Sequence, residues 1–84
     1  MSNPRVPLIL PDLGVPEVEV GVWYAQPGDH IYRGDRLVEV VLTEGATFDV
    51  TAPCTGTLVN RYVMLKDRVA PGAILGAVIA DAEQ

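Results

Sequence analysis

Apolar and polar residues alternate along most of this chain with the two-residue period of half-buried strands. No run of ten residues between breakers carries helical periodicity. The clearest alternation is Val38–Val50, where Val38-Glu39-Val40-Val41-Leu42 and Ala46-Thr47-Phe48-Asp49-Val50 flank Thr43-Glu44-Gly45. A three-residue hairpin loop combines a type I turn with a following residue at positive φ, and Gly45 stands where that glycine is needed. Pairing about the tip sets Leu42 against Ala46, Val40 against Phe48 and Val38 against Val50 on one apolar face. Val41, Thr47, Glu39 and Asp49 take the other face. A slip of one residue would bury the carboxylates, so the register is firm.

The remaining pattern predicts strands at Leu8–Leu10, Val15–Ala25, Gly56–Leu65 and Ile74–Ile79, with short bridges at His30–Tyr32 and Val69. In the second strand Val18, Val20, Val22 and Tyr24 share one face, and Glu17, Glu19, Gly21 and Trp23 the other. Asp12, Asp29 and Asp35 each stand beside Gly or Pro and Asp67 stands in the Lys66-Asp67 turn, positions where an aspartate caps the backbone through its own side chain. Residues 1–7 read as a flexible lead, 8–80 as one domain and 81–84 as a polar tail.

An internal repeat organises these strands. Asp29, Ile31, Gly34, Leu37 and Val40 recur as Asp67, Val69, Gly72, Leu75 and Val78 at one constant offset, which Tyr24 and Tyr62 also obey. The expected fold is therefore all-β. It is a flattened barrel or sandwich of two mainly antiparallel sheets related by a pseudo-two-fold, with the hairpin at one end. Leu8–Leu10 pairs with Leu75–Ile79 at the opposite end. Its predicted core is Ile31, Leu37, Val38, Val40, Val50, Val69, Leu75 and Val78.

Composition narrows the function. A formal net charge of −5 argues against a nucleic-acid partner, because phosphate binding needs a basic surface. No apolar run reaches membrane-span length and no signal core opens the chain, so the reading is a cytoplasmic protein without a membrane partner. Cys54 and His30 are each the only one of their kind, so they build neither a disulfide nor a Cys/His metal cluster. No dense acidic loop suits calcium. Glu39 and Asp49 oppose each other across the hairpin, an arrangement that destabilises mildly and does not catalyse. No nucleophile motif is present, and the chain does not read as an enzyme.

Six stretches then carry a resemblance, in order from Leu8 to Ile79. They are Leu10–Gly14 (LPDLG), Trp23–Asp29, Gly34–Val40 (GDRLVEV), Ala46–Val50 (ATFDV), Ala52–Gly56 (APCTG) and Asp67–Leu75. Together they resemble the biotinyl/lipoyl attachment domains, the swinging-arm carriers of 2-oxoacid dehydrogenase complexes and biotin carboxylases. The resemblance implies a lysine at the hairpin tip, modified with lipoate or biotin and framed by an acidic residue and an alanine. Here the tip reads Thr43-Glu44-Gly45-Ala46. Counting back from Ala46 places Gly45 in the lysine position, and counting forward from Val40 places Glu44 there.

Neither residue has the side-chain amine that an amide to lipoate or biotin requires, so the expected cofactor is none. The segment between Gly14 and Asp29 is also slightly shorter than usual for the family. The one lysine, Lys66, falls in a turn of the second half-repeat, expected at the far end of the repeat unit from the tip. The resemblance thus implies a lysine-less domain serving as a binding or assembly module with a protein partner, such as a multienzyme complex. The alternatives are a true carrier modified at an atypical position and a cofactor-free adaptor of the membrane-fusion type. Trp23, Val41 and Leu42 are the candidates for an exposed apolar contact.

Overall fold

The computed structural model describes residues 3–82. The expectations for Met1, Ser2, Glu83 and Gln84 lie outside the described residues. Eight strands follow in chain order: β1 Arg5–Ile9, β2 Val18–Trp23, β3 His30–Ile31, β4 Arg36–Val41, β5 Thr47–Thr51, β6 Gly56–Arg61, β7 Arg68–Val69 and β8 Ile74–Ala80. They form two four-stranded antiparallel sheets, ordered β1-β8-β6-β3 and β5-β4-β2-β7. Exchanging β1 with β5, β2 with β6, β3 with β7 and β4 with β8 turns one order into the other. The repeat is therefore a pseudo-two-fold of the fold itself.

Hydrogen bonds outside the ladders obey the same symmetry. Tyr24 N donates to Leu37 O and Tyr62 N to Leu75 O, at 2.8 and 2.9 Å. Gly28 N donates to Leu58 O and Lys66 N to Val20 O, at 2.8 and 2.7 Å. All four turn aspartates cap as expected: Asp12 accepts from Gly14 N, Asp29 from Gln26 N, Asp35 from Tyr32 N and Asp67 from Met64 N.

Between the sheets lies one apolar layer that includes Leu8, Leu10, Val18, Val20, Leu37, Val38, Val40, Leu58, Leu75 and Val78. Full burial of each such side chain contributes about 1.5–3 kcal/mol. Seven of the eight predicted core residues are buried. Val69 is the exception, half-buried against the rim of the layer because β7 is a short edge strand.

Four expectations need correction. The two sheets are not closed into a barrel: no ladder joins them, so the fold is a sandwich with β1, β3, β5 and β7 at its edges. Strand β1 begins at Arg5, because Arg5, Val6 and Pro7 pair with Ile79, Val78 and Ala77, so the flexible lead of 1–7 is too long. In β2 the pairing with β4 shifts between Val20 and Val22. Such a bulge reverses which side chains point inward. Val22 is consequently exposed and Trp23 turns toward the core, opposite to the simple alternation. Finally, Lys66 is not remote from the hairpin: its amide is bonded to Val20, which pairs with Val40 inside the hairpin's own span.

Candidate functional site

The hairpin β4–β5 keeps the register read from its alternation, with Val38 opposite Val50, Glu39 opposite Asp49, Val40 opposite Phe48 and Val41 opposite Thr47. Leu42 N closes the last pair by donating to Ala46 O at 2.7 Å, and Gly45 N donates to Leu42 O at 3.1 Å. Three residues, Thr43, Glu44 and Gly45, stand outside that pair, with Glu44 at the apex. Gly45 has the expected positive φ of 89°, but Glu44 adopts φ 74° as well. The tip therefore holds two successive left-handed residues where the sequence announced one. A non-glycine there costs about 1–2 kcal/mol. The whole tip from Thr43 to Ala46 is exposed, while Val38, Val40 and Val50 anchor its base in the core. Chemically the tip offers a hydroxyl from Thr43, a carboxylate from Glu44 and no amine.

The outer face of the same sheet carries a polar cluster. Tyr24 Oη donates to Glu39 Oε2 at 3.1 Å, the Arg36 guanidinium lies 4.9 Å from the Tyr24 ring centre, and Arg36 pairs with Asp49 at 3.6 Å. Asp49 Oδ1 is buried without a hydrogen-bond partner. The Tyr24 phenol is pushed above its ordinary value, first by desolvation, then by its bond to Glu39 and the negative charge of Asp49 and Glu39. Arg36 works in the opposite direction. This cluster answers the opposed carboxylates: each acquires a donor or a cation, which offsets their mutual repulsion.

The other singled-out residues are scattered. His30 Nε2 meets Asp81 Oδ2 at 2.9 Å, tying the expected polar tail to β3, and its ring meets Tyr32 edge-on. Cys54 is half-buried against the core rim. Leu42 and Trp23 pack partly on the core instead of standing free, and Trp23 Nε1 donates to Val63 O at 3.0 Å. A groove beside Trp23, walled by Val22, Val63, Met64 and Leu65, escaped the sequence reading. The exposed Met64-Leu65 pair within a turn was the available signal. Among the described residues no three His, Cys, Asp or Glu side chains gather as a metal site, and no helix is long and apolar enough to cross a membrane.

The chain is 39% identical over 76 residues to the dihydrolipoyllysine-residue succinyltransferase component of the 2-oxoglutarate dehydrogenase complex of Rickettsia conorii, covering 88% of this chain and 19% of that protein. It is 35% identical over 71 residues to the dihydrolipoyllysine-residue acetyltransferase component of the acetoin cleaving system of Pseudomonas putida, covering 84% and 19%. The chain thus spans about a fifth of the length of these curated relatives. Among solved structures, the lipoyl domain of the 2-oxoglutarate dehydrogenase complex of Azotobacter vinelandii matches with a TM-score of 0.62 at 22% identity, over 93% of this chain and 95% of that one. No family model matches the sequence.

Proposed function

The chain belongs to the biotinyl/lipoyl attachment domain family, and from that premise we propose that it is a lipoyl-type domain without a modifiable lysine, a non-catalytic binding or assembly module. The observation that supports this reading is the tip. In this family the cofactor carries the chemistry, and the protein supplies a rigid post and an amine. The post is intact here, since Val38, Val40 and Val50 are buried and the register runs without a shift from Val38 to Val41, after one irregularity between Arg36 and Val38. Thr43, Glu44 and Gly45 do not fit lipoate or biotin, because none has an amine to form the amide. The chain therefore has no group through which to carry an acyl or carboxyl unit on lipoate or biotin at this tip.

The relatives named above are components of multienzyme systems, and this favours a protein partner of that kind, met in the cytoplasm. The domain would dock without delivering a group. The test is co-expression with a lipoyl ligase and, separately, a biotin ligase, followed by intact mass. The reading expects the unmodified mass in both. An added lipoyl or biotinyl mass on the native chain would overturn it, and loss of that mass in Lys66→Arg would identify an atypical carrier.

A further inference from the structure

The pseudo-two-fold supplies an internal control for every turn. Gln26-Pro27-Gly28-Asp29 and Met64-Leu65-Lys66-Asp67 are equivalent turns with equivalent bonds. Asp29 N donates to Gln26 O and Asp67 N to Met64 O, both at 3.0 Å. Gln26 N donates to Asp29 Oδ2 and Met64 N to Asp67 Oδ2, both at 2.8 Å. The first turn is built from residues that satisfy its backbone: proline presets φ, and Gly28 takes φ 99° without a Cβ penalty. At the matching position of the second turn Lys66 takes φ 74°, a strained choice. Preceding it, Met64 is 74% and Leu65 56% exposed. The fold needs neither the large apolar side chains nor the lysine here, because its own other half does without them.

Met64 and Leu65 border a groove of about 560 Å³ whose other walls are Gly21, Val22, Trp23, Arg61 and Val63. The indole is pinned by its bond to Val63 O, and the Arg61 guanidinium lies 5.6 Å from the ring centre. Arg61 and Lys66 form no ion pair among the described residues, whereas Arg36 and Arg68 are paired with Asp49 and Glu17. Arg61 does donate to Ala25 O, at 3.4 Å, but neither it nor Lys66, next in sequence to the Leu65 wall, has a carboxylate partner among the described residues. On a chain of net charge −5 this apolar groove is thus edged by two cations without an ion pair. Charge complementarity then selects the occupant.

We propose that this groove docks a partner protein through an apolar side chain of that partner flanked by its carboxylates. The apolar chain enters beside Trp23 and the thioether of Met64, a flexible and polarisable contact suited to such a role. The carboxylates meet Lys66 and Arg61. The concave shape favours an inserted side chain over a flat lipid surface. This surface deepens the binding-module reading and rests on it only for the existence of a partner. The mass test interrogates the tip and this one the turn, so either can fail alone.

The experiment selects random displayed peptides on the full chain. It counter-selects them on a variant carrying Met64→Gln, Leu65→Pro and Lys66→Gly, which copies the equivalent turn of the first half. The expected winners carry Leu, Phe or Met beside Asp or Glu. A synthetic representative should bind the variant weaker by roughly tenfold or more, and should shift the Trp23 indole resonance of the parent. If the triple variant loses its fold, Leu65→Ser with Lys66→Glu takes its place, with the same loss expected. Absence of enrichment, equal binding to parent and variant, or basic winners would overturn the proposal. So would turn-dependent sedimentation with phosphatidylcholine–phosphatidylglycerol vesicles, which would mean a lipid surface. A molar mass by light scattering that falls on substitution would mean a second copy, and would overturn it equally.

Discussion

Lys66 and Glu44 are the two non-glycine residues at positive φ among those described, and both sit in exposed turns. Replacing Lys66 by glycine removes about 1–2 kcal/mol of left-handed strain and returns about 0.4–1 kcal/mol through the freer unfolded chain. Lys66→Gly should therefore be neutral to stabilising by about 1 kcal/mol in a denaturant titration. Leu75 has the opposite character: it is wholly buried, and Leu75→Ala should cost about 2–5 kcal/mol. Gly56 is constrained by space. A Cβ there would clash with Ile79 O and lie 2.9 Å from the Ala80 Cα, both backbone atoms that cannot step aside. Gly56→Ala should lose about 1–3 kcal/mol or more by the same measurement. Side-chain burial and turn capping at this scale were largely legible: each of the four turn aspartates caps as its type predicts. The left-handed Glu44 was not legible, because glutamate carries no signal for that conformation.

Among the elements, the register of the β4–β5 hairpin was readable because misplacing Glu39 and Asp49 would be costly, although Ala46 and Phe48, read onto the apolar face, are exposed. Strand β2 was not. A bulge inserts one residue, and nothing in β2 alone marks where alternation breaks until its pairing with β4 is known. Gly21 permits it, lying close enough that a Cβ would meet Val41 Cγ2 at 3.1 Å. The elements also explain the pH behaviour of the outer face. Tyr24 bridges β2 to Glu39 on β4, and its folded phenol is raised above the ordinary value near 10. A raised value means that the fold favours the neutral phenol. Its stabilisation is complete below the ordinary value and is lost as pH rises through the folded one. Ultraviolet titration of the folded protein should therefore contain a late phenolate component that disappears in Tyr24→Phe.

For the whole molecule, the constant offset of Asp, Gly and Leu makes the two-fold legible in the sequence alone. It could not place Lys66 relative to the tip, because that distance depends on β2 lying between β4 and β7. Placing them together brings the molecule's one lysine onto the hairpin's half without bringing it to the apex. The central claim is that the post is sound and only the amine is missing. Its most direct test is the intact mass of three chains co-expressed with a lipoyl ligase: native, Lys66→Arg and Glu44→Lys. Glu44→Lys supplies an amine at the apex, where a non-glycine already holds φ 74°, so it adds little backbone strain. Gly45→Lys would instead force a side chain onto a residue at φ 89°. The account predicts the plain mass for native and Lys66→Arg, and a lipoyl increment for Glu44→Lys alone. A lipoyl increment on the native chain that vanishes in Lys66→Arg would contradict it.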